Sequence, residues 1–340
     1  MTANQTVTSI PSVQQALSID PERALDEICS FVIRSVRTTL RRKGAVVALS
    51  GGVDSSVCAA LCARALGPDR VLGLFMPETD SAPESLELGR LVAGRLGIAT
   101  VLEDITPIVD AAGCYRRRDD AIRSVIPDYG VGDSPGRRWR AKLVLPNVVE
   151  SERYRLFSIV AEAPGGEIHK ARLTPDAYRQ VVAATNVKQR TRKMMEYYHA
   201  DRLDYAVVGT PNRLEYDQGF FVKNGDGAAD LKPIAHLYKT QVYALAEYLD
   251  IPDEVRRRPP TTDTYSLPQG QDEFYFSLPY SQMDLCLCAF NLGIPAAEVA
   301  GEAGLTESQV QRVYADIESK RRATRSLHLS PLLVSAVLPA

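Results

Sequence analysis

The chain has 340 residues, of which 24% are charged and 45% are hydrophobic, and its formal net charge at pH 7 is −2. This is the composition of an ordinary globular protein, and the balanced charge gives no overall attraction to nucleic acid or to an anionic membrane. No apolar run approaches the ~20 residues that a membrane span requires, and the six cysteines form no disulfide-like or zinc-like pattern. We therefore expect a cytoplasmic protein without nucleic-acid or membrane partners.

The first third of the sequence alternates short apolar runs with helical patterns. After an opening amphipathic helix, the continuous apolar run at 45–49 predicts a strand that is buried on both faces. The elements predicted around it are a helix over 20–42, a helix over 54–66, a strand over 71–76, a helix over 85–96 and a strand over 100–105. Strands and helices that alternate in this way indicate a parallel sheet in a doubly wound α/β domain, whose N-terminal half we assign to residues 1–112.

Residues 113–185 break this rhythm, and we interpret them as an insertion or lid beside the sheet. Alternating polarity over 154–162 and 167–173, on either side of the Gly165-Gly166 pair, predicts a β-hairpin. The arginines at 116–118 suit either a contact with a substrate phosphate or carboxylate, or a solvated basic face.

Regular structure resumes after the insertion. A helix over 187–200 and a strand over 205–208 are predicted to begin the remainder of the α/β domain, which we assign to residues 186–295. The long irregular stretches that follow the strand are typical of functional loops. Residues 296–340 are expected to form a C-terminal helical tail.

A glycine-rich loop, Ser-Gly-Gly-Val-Asp-Ser-Ser at 50–56, lies between the first predicted strand and the next helix. Glycines let the backbone approach an anion closely, and the following helix adds its positive N-terminal end. The loop serines supply hydroxyl donors, and Asp54 can hold the Mg²⁺ that accompanies a polyphosphate. Because the loop has neither the Walker A nor the dinucleotide-binding pattern, it points to a different class of polyphosphate site.

The pattern Ser-Gly-Gly-x-Asp-Ser resembles the signature of the ATP pyrophosphatases, which cleave ATP between the α and β phosphates. Further segments narrow this resemblance. They lie at 186–192, 209–215, 220–242, 260–263 and 271–273. In this order and spacing they resemble the ammonia-dependent NAD synthetase family, over about residues 20–112 and 186–325. The resemblance implies an adenine nucleotide alpha hydrolase-like fold.

The family resemblance also implies a reaction and a role for each matching residue. Deamido-NAD would attack the α-phosphate of ATP through its carboxylate, and ammonia would then displace AMP from the acyl adenylate. The implied residues are Lys239, Asp226 and Thr261 in catalysis; Ser50, Gly51, Gly52, Asp54, Ser55, Ser56 and Thr210 for ATP and pyrophosphate; Asn186, Arg190, Lys223 and Asp230 for the acyl substrate; and Asp54 and Glu215 for Mg²⁺. Asp230, Asp263 and Glu273 are equally compatible with helix caps or loop carboxylates.

The sequence departs from the family pattern where the acyl substrate should bind. Pro211, Asn224 and the aromatic run at 274–278 replace residues of other types. Together with the insertion, these departures leave open a second hypothesis, in which an amide ligase on the NAD synthetase scaffold uses a different carboxylic acid. Two further alternatives are less favoured. A sulfur transferase would need a cysteine beside the adenylated atom, and no cysteine falls in a recognised motif. A DNA-binding helix-turn-helix at 298–325 would need a clustered basic face, and the basic residues come only late in that segment.

The expected partners are small molecules, namely the carboxylate and ammonia. No glutaminase segment is recognisable in the sequence, so the ammonia is expected to be free or to come from a separate glutaminase chain. The family resemblance further implies a homodimer.

Overall fold

The computed structural model describes residues 12–134, 136–145, 157–261, 264–270, 275–276, 278–335 and 337. Its strands are β1 (Gly44–Ala48), β2 (Val71–Phe75), β3 (Ala99–Leu102), β4 (Arg140–Val144), β5 (Ser158–Glu162), β6 (Ile168–Arg172) and β7 (Tyr205–Val208). Its helices are α1 (Val13–Leu17), α2 (Pro21–Ile33), α3 (Val53–Leu66), α4 (Pro83–Leu96), α5 (Thr106–Ala111), α6 (Cys114–Arg123), α7 (Pro175–Leu203), α8 (Arg213–Gln218), α9 (Lys239–Tyr248), α10 (Asp253–Arg256), α11 (Tyr280–Leu292), α12 (Ala296–Ala303) and α13 (Glu307–Thr324).

Four strands form a parallel sheet in the order β3-β2-β1-β7. The central strands β1 and β2 are buried almost throughout, as their continuous apolar sequences predict, because helices cover both faces of the sheet. Helices α2, α3, α4 and α9 pack on one face, and α5, α6 and α7 contribute to the apolar core on the other. The predicted doubly wound α/β fold is therefore confirmed.

The segment that interrupts the α/β rhythm forms a small antiparallel sheet of its own, in the order β4-β5-β6. The predicted hairpin is confirmed, since β5 pairs with β6 in antiparallel register. Its third strand, β4, was not predicted. The apolar core of this unit includes Ile122, Leu143 and Ile159, all with no exposed surface, and Trp139.

The helix predicted at 187–200 is longer than expected, and the prediction of its start was wrong. Helix α7 begins at Pro175, where the side chain of Thr174 accepts a hydrogen bond from the backbone N–H of Ala177 (3.1 Å). Its first turns place Ala177 and Val181 in the core of the small sheet. One continuous helix therefore connects the inserted unit to the main domain.

The C-terminal helices form a further layer. Helices α11, α12 and α13 share an apolar core with α1 and with Leu214 of α8. Within the described part of the chain, no helix combines the length and the apolar character needed to cross a bilayer.

The core of the small sheet generates a stability prediction. Leu143 of β4 has no exposed surface, whereas Leu102 of β3 is 49% exposed. We expect Leu143→Ala to lower the free energy of unfolding by about 2–5 kcal/mol, because it removes buried apolar contacts and leaves a cavity. Leu102→Ala is the matched control and should change it by about 0.5 kcal/mol or less. Urea unfolding followed by circular dichroism measures both, and equal losses would contradict the packing described.

Candidate active site

A cavity of about 1210 Å³ opens beside the carboxyl ends of the central strands. Residues that directly follow β1, β2 and β7 line it, including Leu49, Met76 and Gly209. In open parallel α/β sheets this edge is the usual place for a ligand, because the loops that leave the strands converge there.

The glycine-rich loop forms one wall of this cavity. It turns from β1 into α3, whose cap residue Gly52 offers no side-chain hydrogen bond to the first N–H groups of the helix. The Oγ atoms of Ser50 and Ser55 lie 3.2 Å apart, and Ser55 Oγ donates to the carbonyl of Gly52 (3.0 Å). The open N–H groups and the helix dipole make this end of α3 suited to an anion.

Gly51 allows the loop to approach the next helix closely. Its φ is +73°, and a Cβ atom at this position would lie 2.4 Å from the backbone carbonyl of Ser85 in α4. No residue with a side chain fits here without moving backbone, so the loop conformation depends on glycine.

A fully buried lysine faces the loop from the start of α9. Lys239 has no exposed surface and forms an ion pair with Asp54. Burial lowers the pKa of Lys239, but the charges of Asp54 and Glu215 outweigh this effect and leave it above its ordinary value. Asn212 connects the two carboxylates, because its Nδ2 donates to Asp54 (3.1 Å) and its backbone N–H donates to Glu215 (3.1 Å).

Glu215 is the most strongly perturbed carboxyl of this group. It is buried in α8, and burial, followed by the charge of Asp54, raises its pKa to about 8, against the opposing charge of Lys239. The carboxyl groups of Asp54 and Glu215 offer hard oxygen ligands, and Lys239 beside Asp54 adds a positive charge. No group of three or more His, Cys, Asp or Glu residues that could hold a metal occurs among the residues described. A cation here would therefore take its remaining ligands from a bound phosphate or from water.

Asp284 of α11, which no sequence pattern singled out, positions Lys239. Its carboxylate accepts hydrogen bonds from the backbone N–H groups of Lys239 (3.2 Å) and Thr240 (2.7 Å), the first residues of α9. Burial raises the pKa of Asp284 to about 6, against the lowering effect of these bonds. A motif could not have marked this residue, because its partner lies 45 positions away.

The residues predicted for the acyl substrate and for catalysis line the same cavity in most cases. Asn186, Arg190, Lys223, Asp226, Thr210 and Thr261 all contribute to its wall. The guanidinium of Arg190 donates to the carbonyl of Lys223 (3.3 Å), and the ammonium of Lys223 donates to the carbonyls of Ser326 (2.8 Å) and Leu329 (3.2 Å) in the C-terminal tail. Asp226 accepts from the N–H of Val222 (2.8 Å) within its own loop.

Three predicted site residues do not line the cavity. Gly51 packs against Ser85, and Ser56 is fully buried with its Oγ donating to the carbonyl of Gly52 (2.8 Å), so it shapes the loop. Asp230 is outside the cavity, where it accepts hydrogen bonds from the N–H of Val207 (2.8 Å) and the hydroxyl of Tyr197 (3.3 Å). Asp263 and Glu273 fall outside the described residues.

The cavity also includes residues that the sequence did not single out. Lys193 and Glu196 of α7 form a buried ion pair (2.6 Å) on its wall. From α13, Arg312 and Lys320 line it as well. The basic residues Arg312 and Lys320 of α13 thus face the cavity and do not form a surface for reading DNA. Lys193 directly follows the cationic segment 186–192, so the sequence could have indicated it. The residues of α13 lie in no such segment.

The cysteines do not provide a nucleophile at this site. None of the six, all of which are described, lines the cavity, and five of them are buried. Burial raises the pKa of Cys62 to about 12 and that of Cys286 to about 12. Thiols in such surroundings are inert packing residues.

Comparisons with known proteins show the family to which the sequence is related. A sequence model described as NAD synthase matches residues 24–124 and 147–325. An NH(3)-dependent NAD(+) synthetase of Mesorhizobium japonicum is 60% identical over 317 residues, which cover 93% of this chain and 98% of that protein. One of Thermotoga maritima is 37% identical over 263 residues, which cover 77% of this chain and 85% of that protein.

Solved structures share the fold. An NH3-dependent NAD synthetase from Campylobacter jejuni superposes with a TM-score of 0.60 at 21% identity, and covers 93% of this chain and 100% of that chain. An NMN synthetase from Francisella tularensis gives a TM-score of 0.62 at 20% identity, with coverage of 93% of this chain and 100% of that chain.

The close packing of Gly51 generates a prediction for nucleotide binding. Gly51 and Gly67 both have positive φ (+73° and +91°), but a Cβ at Gly67 would meet nothing within 4 Å. We expect Gly67→Ala to lose about 1 kcal/mol of stability through backbone strain, and Gly51→Ala to lose more because its Cβ also meets the Ser85 carbonyl. Only Gly51→Ala should weaken MgATP binding, by about tenfold or more, because the loop must move away from Ser85. Titration calorimetry decides; equal affinities in the two variants would count against the close approach.

The buried carboxyl of Asp284 generates a pH prediction. Its pKa is about 6 in the folded protein against an ordinary value of 3.8, so the folded state binds the proton more tightly than the unfolded chain. Its contribution to stability is present below about pH 4 and is lost as the pH rises through about 6. Asp284→Asn cannot ionise, and its melting temperature relative to wild type should rise across this range. A difference that stays constant with pH would argue against the buried, raised-pKa carboxyl.

Proposed function

This chain belongs to the NAD synthase family, and from that premise we propose that it adenylates the carboxylate of deamido-NAD with ATP and amidates it with ammonia, releasing AMP and pyrophosphate. The observation that carries the proposal is the convergence of loop 50–56, Lys239, Asp54 and Glu215 on one cavity. The relatives that match nearly the whole chain are ammonia-dependent NAD synthetases, which supports these substrates.

The first step makes the carboxylate reactive. A carboxylate is a poor electrophile, so one of its oxygens attacks the α-phosphorus of ATP, the bond between that phosphorus and the bridging oxygen to the β-phosphate breaks, and pyrophosphate leaves. Negative charge accumulates on the departing group. This charge would be stabilised by the N–H groups at the start of α3, the hydroxyls of Ser50 and Ser55, and the ammonium of Lys239, which lie at the same cavity.

Asp54 and Glu215 are the residues that would hold Mg²⁺. They fit the ion, because both are carboxylates at the cavity wall and Mg²⁺ is usually bound through one or two carboxylates together with substrate phosphates. When bound, the ion neutralises phosphate charge. Lys239, which forms the ion pair with Asp54, is a second source of positive charge for the same phosphates.

In the second step ammonia attacks the carbonyl carbon of the acyl adenylate, a carbon–nitrogen bond forms, and the bond to AMP breaks. The nitrogen must lose a proton as the amide forms. Asp226 lines the cavity, and burial raises the pKa of its carboxyl, which suits a group that accepts a proton at neutral pH. We assign it this role, with Thr210 and Thr261 as further contacts to ATP.

The acyl half of the cavity determines which acid is used. Asn186, Arg190 and Lys223 lie on this wall, and their amide and cationic groups suit the phosphates and the carboxylate of deamido-NAD. The alternative, an amide ligase that uses another acid, is less well supported, because the similarity to an ammonia-dependent NAD synthetase at 60% identity extends over 93% of the chain and so is not confined to the part outside the insertion.

We also propose a homodimer and a cytoplasmic location, as the family resemblance implies. The six cysteines are all free thiols, which is usual for proteins in a reducing compartment and supports that location. Ammonia would enter free or from a separate glutaminase.

The activity assay tests the proposed function directly. Purified protein with MgATP, ammonium and deamido-NAD should form NAD, AMP and pyrophosphate in equal amounts. Lys239→Met keeps much of the side-chain volume but removes the charge, and we expect it to lower kcat by about 10²-fold or more, because one preorganised charge at the leaving group is lost. Pyrophosphate release with another carboxylic acid but not with deamido-NAD would favour the alternative ligase.

A further inference from the structure

A second fully buried lysine lies beside the active site and takes no part in the proposed chemistry. Lys188 of α7 has no exposed surface, and its ammonium donates three hydrogen bonds. The acceptors are Glu78 Oε1 (3.0 Å), Asp80 Oδ2 (2.6 Å) and the backbone carbonyl of Thr264 (2.9 Å). These groups belong to two separate loops, one after β2 and one after α10. Lys188 therefore ties both loops to α7.

The inserted unit takes part in the same network. From α6, Arg118 forms ion pairs with Asp80 and with its neighbour Asp119, and the hydroxyl of Tyr115 donates to Glu78 (2.7 Å). Arg118 is itself buried. Of the three arginines at 116–118, Arg118 is neither a substrate contact nor part of a solvated face, because it is buried and binds Asp80, one of the two carboxylates that hold Lys188.

Strand β4 of the inserted unit holds the continuation of the loop after α10. Along one edge of β4, the N–H of Ala141 donates to Ser266 Oγ (2.9 Å) and the carbonyl of Ala141 accepts from the N–H of Leu267 (3.2 Å). The side chain of Gln269 donates to the carbonyl of Leu143. Tyr265 packs in the apolar core of the unit. Residues 264–269 are thus attached to the insertion by backbone, side-chain and apolar contacts.

This attached segment lines the ATP cavity at its start, and the residue that follows its end pairs with another residue of the cavity wall. Thr264 and Tyr265 line the cavity, and Gly270 forms an isolated antiparallel bridge with Thr261, the predicted ATP contact. Displacing 264–269 would move Thr261, and a displacement of about 1 Å is enough to weaken a positioned contact severely.

We propose that the insertion and α7 together position the segment 264–269 at the ATP cavity, with strand β4 as one anchor and Lys188 of α7 as the other. Lys188 is then a positioning residue for ATP binding, and this role rests on the proposed function. Strand β4 lies within residues 125–146, which the NAD synthase sequence model does not match, so this anchor lies outside the part of the chain that matches the general family pattern.

Two variants test the two anchors separately. Lys188→Met keeps an unbranched apolar stem but removes all three hydrogen bonds, and Ser266→Ala removes the acceptor of the Ala141 N–H. We expect the KM for ATP to rise about tenfold or more in Lys188→Met and about threefold in Ser266→Ala, whereas the KM for ammonium changes less than about twofold.

Matched controls separate positioning from general destabilisation. Val32 is buried in α2, away from the cavity. Val32→Ala should therefore lower stability without altering the loops that Lys188 and β4 hold. Ser124→Ala removes a hydroxyl that donates to the carbonyl of Ala121 (2.7 Å) within the insertion. Both should leave the KM for ATP unchanged. If Lys188→Met and Ser266→Ala also keep that KM and lose only kcat or melting temperature, the proposal is overturned.

A binding measurement keeps the two proposals distinguishable. The affinity for MgATP, measured by calorimetry on the full chain, needs no acyl substrate, so it reports on the anchors even if wild type fails to use deamido-NAD. Weaker binding in Ser266→Ala than in Ser124→Ala supports positioning even if Lys188→Met does not fold. Equal binding in these two serine variants would contradict it.

Discussion

The buried ion pair between Lys239 and Asp54 is the contact on which the active site depends. A lysine with no exposed surface is tolerated only where its charge is compensated, and removing either partner leaves an uncompensated charge in the interior. The pair joins the first residue of α9 to the first turn of α3. The glycine-rich loop and Lys239 therefore cannot separate without that cost. Asn212, the cap residue of α8, then binds Asp54, and Asp284 of α11 binds the backbone of Lys239.

The proposed site divides into an ATP half and an acyl half that are built differently. The ATP half consists of loops that leave the parallel strands, and its shape follows from the sheet and from the positive φ of Gly51. The acyl half is assembled from α7, the loop that contains Lys223 and Asp226, and α13. The C-terminal tail reaches this half as well, since its carbonyls accept hydrogen bonds from Lys223. Segments from distant parts of the chain therefore line the proposed acyl half.

Buried charges also connect the insertion to the enzyme core. Glu78, Asp80, Arg118 and Lys188 satisfy one another in the interior. Although burial raises the pKa of Asp80, the neighbouring cations bring it below its ordinary value. A network of this kind stabilises only when every member is paired. It therefore gives the insertion a defined placement that apolar packing alone would not specify.

Local patterns in the sequence determined the parallel sheet, the glycine-rich loop and the hairpin. Continuous apolar runs mark strands covered on both faces, and Gly51 with the serines around it is a short-range signature. The N-terminal extent of α7 was underestimated. Its first turns pack in the apolar core of the insertion, so their apolar residues follow that core and not the main sheet. Asp284, the residues of α13, and the attachment of 264–269 to β4 were decided only by the tertiary structure. Each joins residues far apart in the chain through backbone groups or single side chains, and such contacts leave no periodic trace in a sequence.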